Sequence, residues 1–102
     1  MDGVDYWENT KARLKEDLPE AERVALETQL EHAIQLRVTR RLRKDRKEDV
    51  AQRAGIGLYT VQRYEHGRSK LNIDTFVRLA YALGYRVVLE PLEGEPGDEK
   101  AI

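Results

Sequence analysis

The residues of this chain best equipped for chemistry are cations, and they are concentrated in one stretch. Eleven Lys/Arg lie between positions 33 and 70 against four Asp/Glu, whereas residues 1–32 hold four against nine and residues 71–102 three against six. The formal net charge of −1 therefore conceals a basic block between two acidic flanks. Binding to a polyanion depends on local cations, because each neutralised phosphate releases condensed counterions, so the block fits a phosphate-facing surface. Bond-making chemistry has no comparable set of residues. The absence of cysteine excludes disulfides, thiolate zinc sites and cysteine nucleophiles, and it is compatible with a reducing cytoplasm. The two histidines, His32 and His66, are not spaced as metal ligands on one helix face and have no evident nucleophile beside them. Gly55-Ile56-Gly57 is too short for a nucleotide loop. The chain is expected to act by binding alone, as a non-enzyme without cofactor or metal.

The basic block must be carried by helices. With 102 residues the chain has room for one compact domain with appendages. No apolar run approaches the ~20 residues of a membrane helix, so no membrane partner is expected. Val4, Trp7, Leu14 and Leu18 suit one face of a short amphipathic helix from about residue 5 to 17. Pro19-Glu20 then opens a second, longer helix, with acidic residues near its positive end. Along it Leu26, Leu30, Ile34, Val38 and Leu42 form an i, i+4 row thickened by Ala33 and Leu36. Because the row drifts around the axis, its early part faces either intramolecular core or a partner. Beyond Lys44, Gly55, Gly67 and Gly84 mark the ends of short helices. Either Asp45 paired with Glu48, or Arg46, caps the first of these, and Asn72 caps the last, whose core face is Ile73, Phe76, Val77, Ala80 and Leu83. Tyr85 to Glu90 is rich in strand formers and stops at Pro91, which predicts one short β-strand. It pairs with its copy in a homodimer or lies against the N-terminal helices. Residues 93–102 have the composition of a disordered acidic tail.

Spacing within the basic block narrows the fold further. Counting Lys47 as first, Ala51 is fifth, Gly55 ninth and Val61 fifteenth, with Val50, Ala54 and Ile56 at inward positions. A small residue is required where two helices cross closely, a glycine where the chain turns tightly between them, and an apolar wedge where they diverge. Ala51, Gly55 and Val61 satisfy those requirements in turn. Through Glu48-Asp49-Val50-Ala51-Gln52-Arg53-Ala54-Gly55-Ile56 and Thr60-Val61-Gln62-Arg63-Tyr64-Glu65-His66-Gly67, the chain resembles the Xre family of lambda-repressor-like helix-turn-helix proteins. Phe76 to Gly84 matches the last motif of that family's five-helix core, and the likeness spans about residues 33 to 90. Within the family it is most similar to HigA-type antitoxins of type II toxin-antitoxin systems, which share an acidic N-terminal extension and an apolar strand after the core.

The resemblance implies a mainly α fold: an N-terminal helical extension over residues 1–31, a five-helix DNA-binding domain with a terminal strand over 32–92, and the tail. It implies that Leu58 to Glu65 is the recognition helix, entering the major groove of operator DNA with Leu58, Tyr59, Gln62 and Arg63 nearest the base edges. Arg43, Arg46, Lys47, Thr60, His66, Arg68 and Lys70 are then placed over phosphates, which adds affinity without reading sequence. Protonation would strengthen the contribution of His66. Arg40 is expected to form a partly buried ion pair with Glu65. Tyr6, Trp7 and Leu14, with Val87 and Leu89, are candidates for contact with a dimer partner or with a ribonuclease toxin of the HigB/RelE-like type. A cytoplasmic, bacterial or phage-encoded repressor acting as a homodimer on an inverted repeat follows, either as an antitoxin or as a stand-alone regulator. The chain departs from the family at Lys44-Asp45-Arg46-Lys47, where Asp45 replaces an apolar anchor and Lys47 a glutamine. Gly57 replaces the usual polar cap of the recognition helix at little cost.

Overall fold

The computed structural model describes residues 11–66, 70 and 72–97. Residues 11–13 are helical, and four longer helices follow: α1 (Glu20–Leu42), α2 (Lys47–Ala54), α3 (Leu58–Glu65) and α4 (Ile73–Ala82). Pro19 precedes α1 with φ −54° and ψ 145°, an extended backbone that a proline ring favours, and Glu20 and Glu22 lie in the first turn. At 23 residues α1 spans roughly 35 Å. It continues without a break across residue 31.

The i, i+4 row of α1 does not stay on the core. Leu26 is buried and Leu30 half-buried, yet Ile34, Val38 and Leu42 are exposed, Leu42 at 78%. Each step of four residues turns about 40° beyond a full circle, so Leu42 lies roughly 160° around the axis from Leu26. The buried face of the later half is instead Ala33, Leu36 and Arg40, with Leu36 half-buried against the core.

That core comprises Val50, Ala51 and Ala54 from α2, Val61 and Tyr64 from α3, and Leu79, Ala82 and Leu83 from α4 and its end, with Ile56 packed against it. Helix α2 packs on both α3 and α4, while α1 packs on α3. Val50 and Val61 are each only 1% exposed. Tyr64 buries its ring, and its hydroxyl accepts from the Asn72 N–H at 2.8 Å, tying α3 to the start of α4. Asn72 caps α4 as expected, its side chain accepting from the Thr75 N–H. Ile73 and Val77, expected on the core face of α4, are exposed instead. Leu79 and Ala82 replace them beside Ala80. Phe76, half-buried, meets the His32 ring of α1 edge-on, with ring centres 5.4 Å apart.

Three helix ends share one geometry. After α4, Gly84 takes φ +91° while the Tyr85 N–H donates to Ala80 O and the Gly84 N–H to Tyr81 O. After α2, Gly55 takes φ +71° and the Ile56 N–H returns to Ala51 O. Both are Schellman-type ends, for which glycine has no steric cost. After α1 the left-handed position is Lys44, at φ +61°, with the Lys44 N–H donating to Arg41 O and the Asp45 N–H to Arg40 O. Gly67, the third expected helix-ending glycine, lies outside the described residues.

The expected β-strand is not present. Residues 85–90 form no strand, and among the described residues there is none for them to pair with. A strand is a cooperative object whose hydrogen bonds belong to two segments, and residues of strand-forming type cannot supply the second. The segment instead lies across α1, where it lines one groove together with Thr28, His32, Leu36 and Thr39. Of the tail, residues 93–95 form a turn closed by the Glu95 N–H on Leu92 O, and residues 98–102 lie outside the described part.

Candidate nucleic-acid interface

Helix α3 has two faces with separate tasks. Val61, Tyr64 and Glu65 point into the protein, which leaves Tyr59, Gln62 and Arg63 outward. Tyr59 is 69% exposed, Gln62 is half-buried and Arg63 is exposed. The Arg63 guanidinium sits 5.6 Å from the centre of the Tyr59 ring one turn earlier, a cation–π contact along the helix. Neither the Gln62 nor the Arg63 side chain makes a hydrogen bond or ion pair with another described residue. Leu58 and Thr60 are half-buried in the first turn, and His66, exposed, ends the helix.

The outward face is held in place by an ion pair behind it. Arg40 of α1 donates to both carboxylate oxygens of Glu65, from Nε to Oε2 at 2.5 Å and from Nη2 to Oε1 at 2.8 Å, with side chains 10% and 6% exposed. Its remaining nitrogen Nη1 donates to Asp45 O at 3.0 Å. A buried charge requires such complete pairing. The Glu65 hydrogen bond and charge raise the Arg40 pKa above its ordinary value, against the opposing effect of burial. This is the pair that the family resemblance implied.

The turn between α1 and α2 is organised around Asp45, which does not cap α2. Its carboxylate accepts from Arg53 Nη2 at 2.7 Å and from Arg43 Nε at 3.0 Å. The two guanidiniums, Arg53 first, hold it below the ordinary aspartate value of 3.8. The cap is Arg46, whose N–H donates to Asp49 Oδ2 at 3.2 Å and whose guanidinium reaches the same carboxylate. Arg46 in turn depresses the Asp49 pKa.

The cations expected over phosphates therefore divide into groups. Arg43 is engaged by Asp45 and Arg46 by Asp49, whereas Lys47 in the first turn of α2 and the exposed Lys70 have no partner among the described residues. Arg68 lies outside the described residues, as do Tyr6 and Trp7. Leu14 is half-buried, while Val87 and Leu89 are 39% and 91% exposed. Two arginines carry structural roles that were not read from the sequence. Arg53 bridges Asp45 to Ala82 O at 3.0 Å, and Arg78 links Asp74 to Ala54 O at 3.3 Å. The i, i+4 spacing of Asp74 and Arg78 was a usable signal, whereas nothing local connects Arg53 with residues 45 and 82.

Two short helices crossing at Ala51, a left-handed glycine turn and an outward polar face on the second helix define a helix-turn-helix of the DNA-binding kind. A family model described as Helix-turn-helix (HTH_3) matches residues 36–88, and the chain belongs to this Xre-like family. No curated protein and no solved structure matches it. Among the described residues no helix is long and apolar enough to cross a membrane.

Proposed function

We propose that the chain is a sequence-specific DNA-binding antitoxin of the HigA type, which represses its own operon as a two-fold dimer on an inverted repeat and neutralises a partner toxin. The observation that carries the DNA-reading part is the outward face of α3. The Gln62 and Arg63 side chains are exposed wholly or in part and bond to no described residue, on a helix fixed from behind by the Arg40–Glu65 pair. Unspent donors on a rigid helix are what base reading needs, with arginine suited to guanine and glutamine to adenine. Lys47 and Lys70 supply phosphate contacts, and Arg43 and Arg46 contribute if a phosphate competes with their carboxylates. Two copies related by a two-fold axis place their recognition helices one turn of DNA apart, roughly 34 Å. The toxin-binding part is supported by the acidic segment ahead of the domain, a match for a basic ribonuclease toxin. The protein acts by binding alone, in the cytoplasm.

The test is a titration of the purified chain, at low and moderate salt, against its own promoter region and a random duplex, followed by co-purification with the product of the adjacent gene. Preference for the promoter together with retention of a small basic protein is the expected result. Preference without retention would identify a stand-alone repressor. No preference at all would overturn the DNA-reading part.

A further inference from the structure

Residues 86–91 make no backbone hydrogen bond with any described residue, although they are strand formers and expose Val88 at 59% and Leu89 at 91%. Such a free edge invites pairing. In extended chain the N–H and C=O of alternate residues point to opposite edges. The Tyr85 N–H is already used on Ala80 O at 2.8 Å, so the alternate edge is the one that would keep all its donors in an extended chain. That edge is carried by Arg86, Val88 and Glu90, whose backbone groups bond to no described residue. Pro91 has no N–H and falls on the occupied edge, where none is required. Arg86 and Glu90 form no ion pair with any described residue.

From these features we infer that Arg86 to Glu90 pairs antiparallel with the same segment of a second copy, on a two-fold axis through Val88. The sequence Arg-Val-Val-Leu-Glu is self-complementary in that register. Val88 exchanges both its bonds with Val88 of the second copy, and Arg86 lies opposite Glu90 of the second copy on either side of the axis. A two-fold axis moved to Val87 or to Leu89 on the other edge would call on the spent N–H of Tyr85 or on the missing one of Pro91, respectively. It would also take each charge away from its opposite. The inference rests on the dimer proposed above and specifies how that dimer is held.

Charge reversal tests it. Sedimentation equilibrium on the full chain is expected to show that Arg86→Glu and Glu90→Arg each weaken self-association by about tenfold, because each sets like charges opposite one another twice. An equimolar mixture of the two variants should associate as well as the unaltered chain, since every facing pair is then of opposite sign. Val88→Pro, which removes the central donor and no bond within a single chain, should abolish self-association while leaving the circular dichroism melt of the dilute protein unchanged. An unaltered chain that dimerises while neither reversal changes its affinity would overturn this register and leave the dimer standing. A chain that remains monomeric both free and on its promoter would overturn the dimer as well.

Discussion

The arginines behind α3 and those in front of it have the same side chain and opposite employment. Behind it, Arg40, Arg43 and Arg53 use their donors on Glu65, on Asp45 and on backbone carbonyls, so their positions are set by the fold. In front, the Arg63 guanidinium meets the Tyr59 ring, and Lys47 at the start of α2 forms no ion pair among the described residues. The basic block is therefore not one continuous phosphate-binding surface. Part of its charge is neutralised internally to fix the angle at which the remainder is presented. The contrast shows that a count of cations overstates an interface, and that the informative quantity is how many have no internal partner.

Five variants and one pH profile test this arrangement. The largest effect is expected for Glu65→Ala, which leaves Arg40 buried without its carboxylate and should cost about 3–5 kcal/mol in urea unfolding. Arg40→Met with Glu65→Leu should cost less than Glu65→Ala alone, and equal losses would show that the pair is not the support described. Arg63→Ala should leave the melt unchanged and weaken operator binding by about 1–3 kcal/mol with relaxed base preference at one position. If binding to random duplex fell as much, Arg63 would be a phosphate contact. Lys47→Ala should weaken all sequences alike and lower the salt slope of binding by about 1. Lys44→Gly removes a side chain from a left-handed position and should raise stability by about 0.5–1 kcal/mol. Asp45 gives the smallest effect at neutral pH. Its folded pKa lies below its unfolded value, so its stabilisation is complete above the ordinary value of 3.8 and is lost as pH falls through the lower folded value. An acid titration of stability should be shallower in Asp45→Asn than in the unaltered chain.

Much of this arrangement was legible in the sequence because it depends on local chemistry. Glycines 55 and 84 announce their helix ends, since φ near +71° and +91° is costly for other residues. Ala51 and Val61 announce the helix crossing through size alone. The end of α1 was illegible for the converse reason, as Lys44 occupies the same conformation without advertising it. Asp45 and Arg46 both read as caps because caps are local, and Arg46 is the one that serves, whereas the Arg53 partner of Asp45 is recruited by tertiary packing. The row from Leu26 to Leu42 drifts, as its spacing implied, because a repeat of four outruns the helical turn, and only its early part is buried. The strand failed because composition records what a segment prefers and not whether another segment is present to meet it.

The stacking of Arg63 on Tyr59 has a consequence for the cost of recognition. A long flexible side chain that roams freely must surrender most of its rotamers when it meets a base. One already resting against a plate on its own helix has fewer left to surrender, and it need only swing off that plate to reach the groove.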